Sequence, residues 1–596
     1  MKHWNALIAV ALTVFWGSIA AKTLSQELQQ PNVVLILADD MGIETISAYG
    51  STEYKTPNID ALAARGTLFT NALATPICTP SRVMLMTGKY SFRNYSAFGV
   101  YPEGDKSIGN LMSEAGYRTA LFGKWQLRGA LPGDLGFDEY LAHNMIPGAE
   151  GDRYWGGRYG NHQGESVNFS GDTNLTVDAD AYGPDLLLGQ LNNYISKQVT
   201  SDQPFFVFYP MMLPHWPFVR TPDSVDTDAN SHELFQDMVL YVDKIVGAIV
   251  SHIDRAGLAD ETLIIFTGDN GTYPGLGAML ANGTYWEGAK SAPLLPGQKV
   301  PFISAIGTLH QSVSDELIDL ADVLPTLADA AGLPTQLVRR DYQPDGRSLL
   351  PTILGTGPSP SRDILLTWYP SIDTRPYYSA LYVTDGKHKL YHGGAFYDLL
   401  TDPFERAPRY PNSGVSGETA SRTRLRNALD AWMAESERLK ATPPQPRILA
   451  SWHNAQIPRS GATTLEWDVT EHVQHAAELG ATEVTIEAVQ YYGLGRVVVS
   501  DLAVFENGSL HAAATPTQAV TQLAQASAGA EVSYPYHQNK KDNVFRLALR
   551  PASDVRYALR AKFQRESVPI MQGLRSQTNG YLFLIEGTRE RKTSGD

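Results

Sequence analysis

From Pro31 to Ala38 the chain reads Pro-Asn-Val-Val-Leu-Ile-Leu-Ala, an apolar run without alternation. A strand with one wet face would alternate, so this run predicts a strand buried on both faces, as in a mostly parallel sheet covered by helices. Tyr117 to Phe122 reads as a further strand, Pro204 to Tyr209 as another buried strand and Thr262 to Thr267 as a further strand again. Helical segments lie among them: Thr56 to Arg65, Ser107 to Gly116, Glu233 to Arg255 and Asp319 to Ala331. Strands alternating with helices predict an α/β fold. With 596 residues, the chain is too long for one core, and two or three domains are expected.

Each of these strands runs into residues that can do chemistry. The first ends in Asp39-Asp40, the second in Gly123-Lys124-Trp125-Gln126, the third in Pro214-His215-Trp216-Pro217 and the fourth in Gly268-Asp269-Asn270-Gly271. In a parallel sheet, ligands bind outside the carboxyl ends of the strands. Adjacent carboxylates repel in a dry site unless a cation lies between them, whereas in water they form an ordinary turn. Oxygen donors from Asp and Asn, with no Cys or His cluster, suit a hard cation such as Ca²⁺.

The only cysteine, Cys78, lies in Thr75-Pro76-Ile77-Cys78-Thr79-Pro80-Ser81-Arg82, followed by an apolar stretch to Gly88. Pro80 fits the first turn of a helix and Gly88 its C-terminal cap, which places Cys78 just ahead of a helix N-terminus, where the dipole favours an anion. Taken alone, a single Cys reads as a small buried thiol. The N-terminus argues for more. Met1-Lys2-His3, an apolar run from Ala6 to Ala21 and Ser18-Ile19-Ala20 have the form of a cleaved signal peptide, residues 1–21, too short for a stable membrane span. Export to a periplasmic or extracellular compartment makes an unpaired thiol a liability, which favours a chemically converted Cys78. The net charge of −15 argues against non-specific binding to nucleic acid or an anionic bilayer. Any anion pocket must therefore concentrate its cations locally.

Cys78-x-Pro80-x-Arg82, with hydroxyls at both intervening positions, resembles the modification motif of the type I sulfatases of the alkaline phosphatase superfamily. Pro57-Asn58-Ile59-Asp60, Gly123-Lys124-Trp125, Pro214-His215-Trp216-Pro217 and the segment Tyr397 to Glu405 resemble that family's segments in the same order, over roughly residues 31–405. The resemblance implies that a formylglycine-generating or anaerobic sulfatase-maturating enzyme oxidises Cys78 to 3-oxoalanine (formylglycine), whose hydrated form attacks sulfur. It further implies a Ca²⁺ site of Asp39, Asp40, Asp269 and Asn270, completed by modified Cys78, with Arg82, Lys124, His215 and Lys290 around the sulfate and the leaving oxygen. Lys290 is chosen for its spacing ahead of Val300-Pro301, with Lys299 as the competitor. Gln126 stands where the family has a histidine, the clearest departure. The expected activity is sulfuric ester hydrolysis on sulfated carbohydrates. A formylglycine-dependent phosphodiesterase or phosphonate monoester hydrolase, and a non-catalytic sugar-binding homologue, are the other readings.

Residues 144–184 show little periodicity, and Arg153, Tyr154, Trp155 and His162 fit either a pocket rim or surface packing. Past Gly346-Arg347-Ser348 the pattern turns to antiparallel strands, with Asp385-Gly386 as a hairpin turn, then a helix from Glu418 to Leu439 and a linker, Thr442 to Pro446. Six short strands follow: 464–468, 483–489, 496–505, 544–549, 556–563 and 581–586. Their spacing suggests a β-sandwich for carbohydrate binding or for packing on the catalytic part. The expected organisation is a catalytic α/β domain over 30–360, its antiparallel C-terminal subdomain over 361–441 and a β-sandwich-like domain over 447–590. No internal repeat is visible.

Overall fold

The computed structural model describes residues 30–143, 154–156, 158–161, 175–176, 178, 180–226, 228–369, 380–406, 418–441 and, beyond these, the strands and short segments between 447 and 586. The expected signal peptide, Arg153, His162 and the linker at 442–446 lie outside the described residues.

The main sheet has ten strands. Its centre is five parallel strands, in the spatial order Thr262–Gly268, Asn32–Ala38, Phe205–Pro210, Arg118–Lys124 and Glu139–His143. The unbroken apolar runs follow from this position. Val33, Leu35 and Leu37 pack into one core, and Val34, Ile36 and Ala38 into another on the opposite face. The first core takes side chains from helices Cys78–Thr87, Ile108–Glu114 and Val323–Ala330. The second takes them from Pro57–Ala64, Gly183–Gln198 and Ser231–Arg255. The result is the mixed α/β layering expected from the sequence, with antiparallel strands only toward the sheet's edges.

Local chemistry sets the helix ends. Ser107 and Asn230 each cap the following helix through a capping box. The Pro57-Asn58-Ile59-Asp60 segment is held from outside. Buried Asp243 accepts from the Asn58 and Ile59 N–H groups and from Asn58 Nδ2, while Asp60 Oδ1 accepts from Ala48 N. Expected and observed bounds differ at Cys78, which is the first residue of its helix rather than the residue ahead of it, with Ile77 as the cap. Pro80 is accommodated because the first N–H groups of a helix have no intrahelical acceptor. Gly88 closes the helix at φ +68°, the left-handed cap anticipated.

A four-stranded antiparallel sheet follows, formed by Leu365–Tyr369, Ala380–Thr384, His388–Tyr391 and Phe396–Asp398. Its hairpin turn has three residues, Asp385-Gly386-Lys387, not two, because Asp385 Oδ1 accepts from both Lys387 N and His388 N and draws the extra residue in. Helix Glu418–Glu435 is interrupted at Ser436, which caps Glu437–Lys440. Farther on are two four-stranded antiparallel sheets, Arg447–Trp452 with Asn579–Glu586, Val484–Tyr492 and Phe545–Leu549, and Ala462–Asp468 with Tyr557–Glu566, Arg496–Glu506 and Ser509–Ala514. All six expected strands are present. Arg447–Trp452 and Ser509–Ala514 are additional.

Candidate active site

The register of the two central strands builds the site. Ala38 pairs with Gly268, so Asp39-Asp40 and Asp269-Asn270 leave the sheet side by side. Asp269 N donates to Ala38 O, and Asp40 N to Asp269 Oδ1 at 3.1 Å. Asp40 has φ +68°, a conformation that costs a non-glycine residue and that tends to be retained at functional sites. All four side chains are fully buried.

Three cations close around them. Lys124 Nζ donates to Asp39 Oδ2 at 2.5 Å and Lys290 Nζ to Asp40 Oδ2 at 2.6 Å. Arg82, on the Cys78 helix, lies 2.9 Å from Asp269 Oδ2 through both Nε and Nη2, and 3.5 Å from Asp39 Oδ1. Gly123 sets the reach of Lys124. At φ +142° it passes so close to Pro210 that a Cβ would lie 1.9 Å from that carbonyl oxygen. His215 Nε2 lies 3.9 Å from Asp40 Oδ2, and its Nδ1 faces the Trp216 carbonyl in a short hydrogen bond that only an Nδ1–H can make. The structure thus brings together Asp39, Asp40, Arg82, Lys124, His215, Asp269, Asn270 and Lys290. Lys299 is elsewhere, paired through its backbone with Leu73.

Charge crowding shifts these groups in opposite directions. Burial alone would raise Asp39, but Lys124, with His215 and Arg82, holds it well below the usual carboxylate range. Burial and the Asp39 charge push Asp269 up to about 7. Burial works against the charge on Lys290, yet Asp40 keeps its pKa above the ordinary lysine value. Burial, with Lys290 and Lys124, lowers His215 to about 4, so its imidazole is neutral at pH 7. Cys78 sits among the charges of Lys124, Lys290, Asp269 and Asp39, and burial raises its thiol. A buried thiol in this state is a poor nucleophile.

The donor set fits a hard cation. Asp39 Oδ1 and Asn270 Oδ1 are buried with no hydrogen-bond partner, and buried oxygens of this kind are costly unless something binds them. One ligand atom each from Asp39, Asp40 and His215 lie within 4.8 Å of one another, an acidic group able to hold a metal. Gln126 stands apart from the ion pairs. Its Oε1 is buried without a partner, and its backbone carbonyl faces the turn at Gly99, whose N–H donates to Thr79 Oγ1 beside Cys78.

Three further side chains support the site. His143 is the register partner of Lys124, fully buried, and its pKa falls to about 3 through burial and the Lys124 charge. The apolar stretch before it, Tyr140-Leu141-Ala142, is too short to mark a strand in the sequence. Tyr154 is buried and not on a rim. Its hydroxyl reaches Met212 O at 2.7 Å and His215 O at 2.6 Å, bracing the His215 segment. Ser81 Oγ lies 2.6 Å from Thr75 Oγ1 and donates to Thr75 O, tying the turn before Cys78 to its helix.

The family model described as Sulfatase matches residues 31–333. Human arylsulfatase A is 31% identical over 430 residues, covering 63% of this chain and 77% of that one. An ulvan-active sulfatase of Formosa agariphila is 25% identical over 466 residues, covering 71% and 84%. Among solved structures, the PsFucS1 sulfatase from Pseudoalteromonas sp. shares the fold, with a TM-score of 0.57 at 22% identity over 71% of this chain and 95% of that one.

Proposed function

The chain belongs to the sulfatase family of enzymes, and on that premise we propose that it hydrolyses sulfate esters of carbohydrates with a nucleophile made from Cys78 and a Ca²⁺ ion held by Asp39, Asp40, Asp269 and Asn270. One observation carries this reading. The lone cysteine opens a helix directly at a buried cluster of three carboxylates and three cations. The ulvan-active relative supports a carbohydrate substrate. We assign residues 1–21 to a signal peptide and place the protein in the periplasm or outside the cell. Among the described residues no helix is long and apolar enough to cross a membrane. We further assign 30–360 to the catalytic domain, 361–441 to its antiparallel subdomain and 447–590 to an accessory β domain.

Conversion of Cys78 to formylglycine by a maturating enzyme would supply a hydrated aldehyde as the nucleophile. Bound Ca²⁺ would supply a Lewis acid that offsets the crowded carboxylates and draws in the sulfate oxygens. The remaining work falls to side chains. Arg82, fixed by Asp269, holds a guanidinium one helical turn from residue 78. Lys124 and Lys290, buried and charged, stabilise negative charge where water is scarce. Charge moves onto the bridging oxygen as the S–O bond breaks. Lys290 carries a proton throughout the neutral range and gives it to the leaving alcohol. His215, neutral at Nε2, hydrogen-bonds on the sulfate side.

The substrate class is tested by parallel assays of sulfated oligosaccharides, phosphate diesters and phosphonate monoesters. Sulfate monoesters should turn over in clear preference, and a preference for the phosphorus substrates would overturn the reading.

Gln126 can orient the nucleophile but cannot accept a proton near neutral pH. The expectation is that a water accepts it, since the cations around Asp39 hold that carboxylate too low to take a proton, so wild-type enzyme turns over many times and Gln126→His alters the pH profile more than the maximal rate. A single burst of alcohol release followed by a stall, with steady-state turnover raised by Gln126→His, would show instead that the missing base limits sulfate release. General-base assistance is worth roughly 10²–10⁴-fold, so the two outcomes are well separated.

A further inference from the structure

The loop carrying Lys290 is attached on three sides. Lys290 N donates to Thr272 O, in the loop after Asn270, and Ser291 N donates to Pro76 O at 2.6 Å, in the turn before Cys78. Ser291 sits at φ +70°, a conformation that a non-glycine residue keeps only when its surroundings enforce it. The third attachment comes from the antiparallel sheet that follows the catalytic residues in sequence. The carbonyl of Pro293 accepts from Lys389 Nζ in a short contact and from Gln298 Nε2 at 2.7 Å, and the Tyr391 hydroxyl lies 2.8 Å away. Leu295 N donates to Glu405 Oε1 at 2.9 Å. Glu405 also accepts from Lys389 Nζ at 2.8 Å and from the Tyr391 hydroxyl at 2.5 Å. Tyr382 donates to Gln298 Oε1, and Lys389 Nζ stands 3.9 Å from the centre of the Tyr382 ring.

Lys389 and Glu405 are buried away from water, at 1% and 0% exposure. Apolar residues of similar size would join two units more cheaply than a buried ion pair. This pair is fully satisfied and spends its hydrogen bonds on one loop, three to five residues beyond Lys290. We propose that Lys389, Tyr391 and Glu405 are positioning residues, a clamp from the antiparallel sheet and the segment just after it that sets where the Lys290 ammonium stands relative to the leaving oxygen. The antiparallel sheet is then part of the catalytic apparatus, acting through Pro293 and Leu295. The inference rests on the proposed role of Lys290.

The test compares two leaving groups on full-length protein whose modification at position 78 has been verified by peptide mass spectrometry. A sulfated sugar leaves as a poor alcohol and needs the ammonium, whereas 4-nitrophenyl sulfate leaves as a stabilised phenolate and scarcely does. Lys290→Met is the reference, expected to reduce kcat far more on the sugar. Tyr391→Phe, which removes one hydroxyl, and the double variant Lys389→Met/Glu405→Gln, which leaves no buried charge unpaired, should reproduce that selectivity. We expect about a 10-fold or larger loss of kcat on the sugar sulfate with KM little changed and a few-fold loss at most on the aryl sulfate, since small misplacements of a reacting group cost up to about 10²-fold. Equal losses on both substrates, or none, in folded clamp variants while Lys290→Met stays selective would overturn the clamp and leave the site reading standing. An unselective Lys290→Met would overturn the role of Lys290, and the clamp with it.

Discussion

Cys78→Ala lowers turnover to background while the protein keeps its fold and its melting temperature within a few degrees. Residue 78 is buried at the first position of its helix, among the charges of Lys124, Lys290, Asp269 and Asp39, and no side-chain hydrogen bond to it is found among the described residues. Losing one sulfur atom there removes little packing, on the order of 1 kcal/mol. The chemical loss is of another size. Removing the nucleophile of a covalent enzyme costs roughly 10⁴–10⁶-fold, and the cations that remain can bind sulfate without attacking it. The variant should therefore bind substrate and fail to release alcohol. Near-normal turnover by Cys78→Ala would end this mechanism.

Asp269→Asn should also reduce activity, less than the loss of the nucleophile and most strongly at low calcium. An asparagine amide keeps one oxygen for a cation but presents N–H groups, not a lone pair, to Arg82, whose Nε and Nη2 both point at Asp269 Oδ2. The substitution loosens the metal and the guanidinium together, and a loss of about 10²-fold or more is expected where ligand and support are the same residue. High calcium should restore part of the rate by mass action, but not the part owed to Arg82. In the metal-free protein the Asp269 carboxyl is pushed up to about 7, first by burial and then by Asp39, so calcium must displace a proton below that pH. Calcium affinity should accordingly rise with pH through about 7, as measured by calorimetry at several pH values. Full wild-type activity after exhaustive chelation would show that the cluster holds no functional metal.

The parts of this protein that were legible in its sequence are those fixed over short stretches. A strand buried on both faces must be apolar at every position, so Asn32–Ala38 and Thr262–Gly268 declared themselves, and the polar residues where they stop became candidates for the site. What needed the structure depends on contacts across hundreds of residues. The register that sets Asp39 beside Asp269 is a pairing of distant strands. His143 follows an apolar stretch too short to mark as a strand, and only its pairing with Lys124 gives it a place. A lysine in a strand of an antiparallel sheet reads as a solvated charge. Lys389 is buried because Glu405, the rings of Tyr382 and Tyr391, and the Pro293 carbonyl surround it, and none of these is visible from its own neighbourhood. Tyr154 sits in a composition typical of loops, yet its hydroxyl finds two backbone carbonyls beneath the His215 segment.

The central claim is that Cys78 reaches its working form by oxidation to the aldehyde. Peptide mass spectrometry of residue 78, on protein from a host with a sulfatase-maturating enzyme and from the same preparation that releases sulfate from a sulfated oligosaccharide, tests it most directly. The account predicts formylglycine at position 78, in a fraction that tracks the specific activity from one preparation to the next. A fully active preparation in which residue 78 is entirely an unmodified thiol would contradict it.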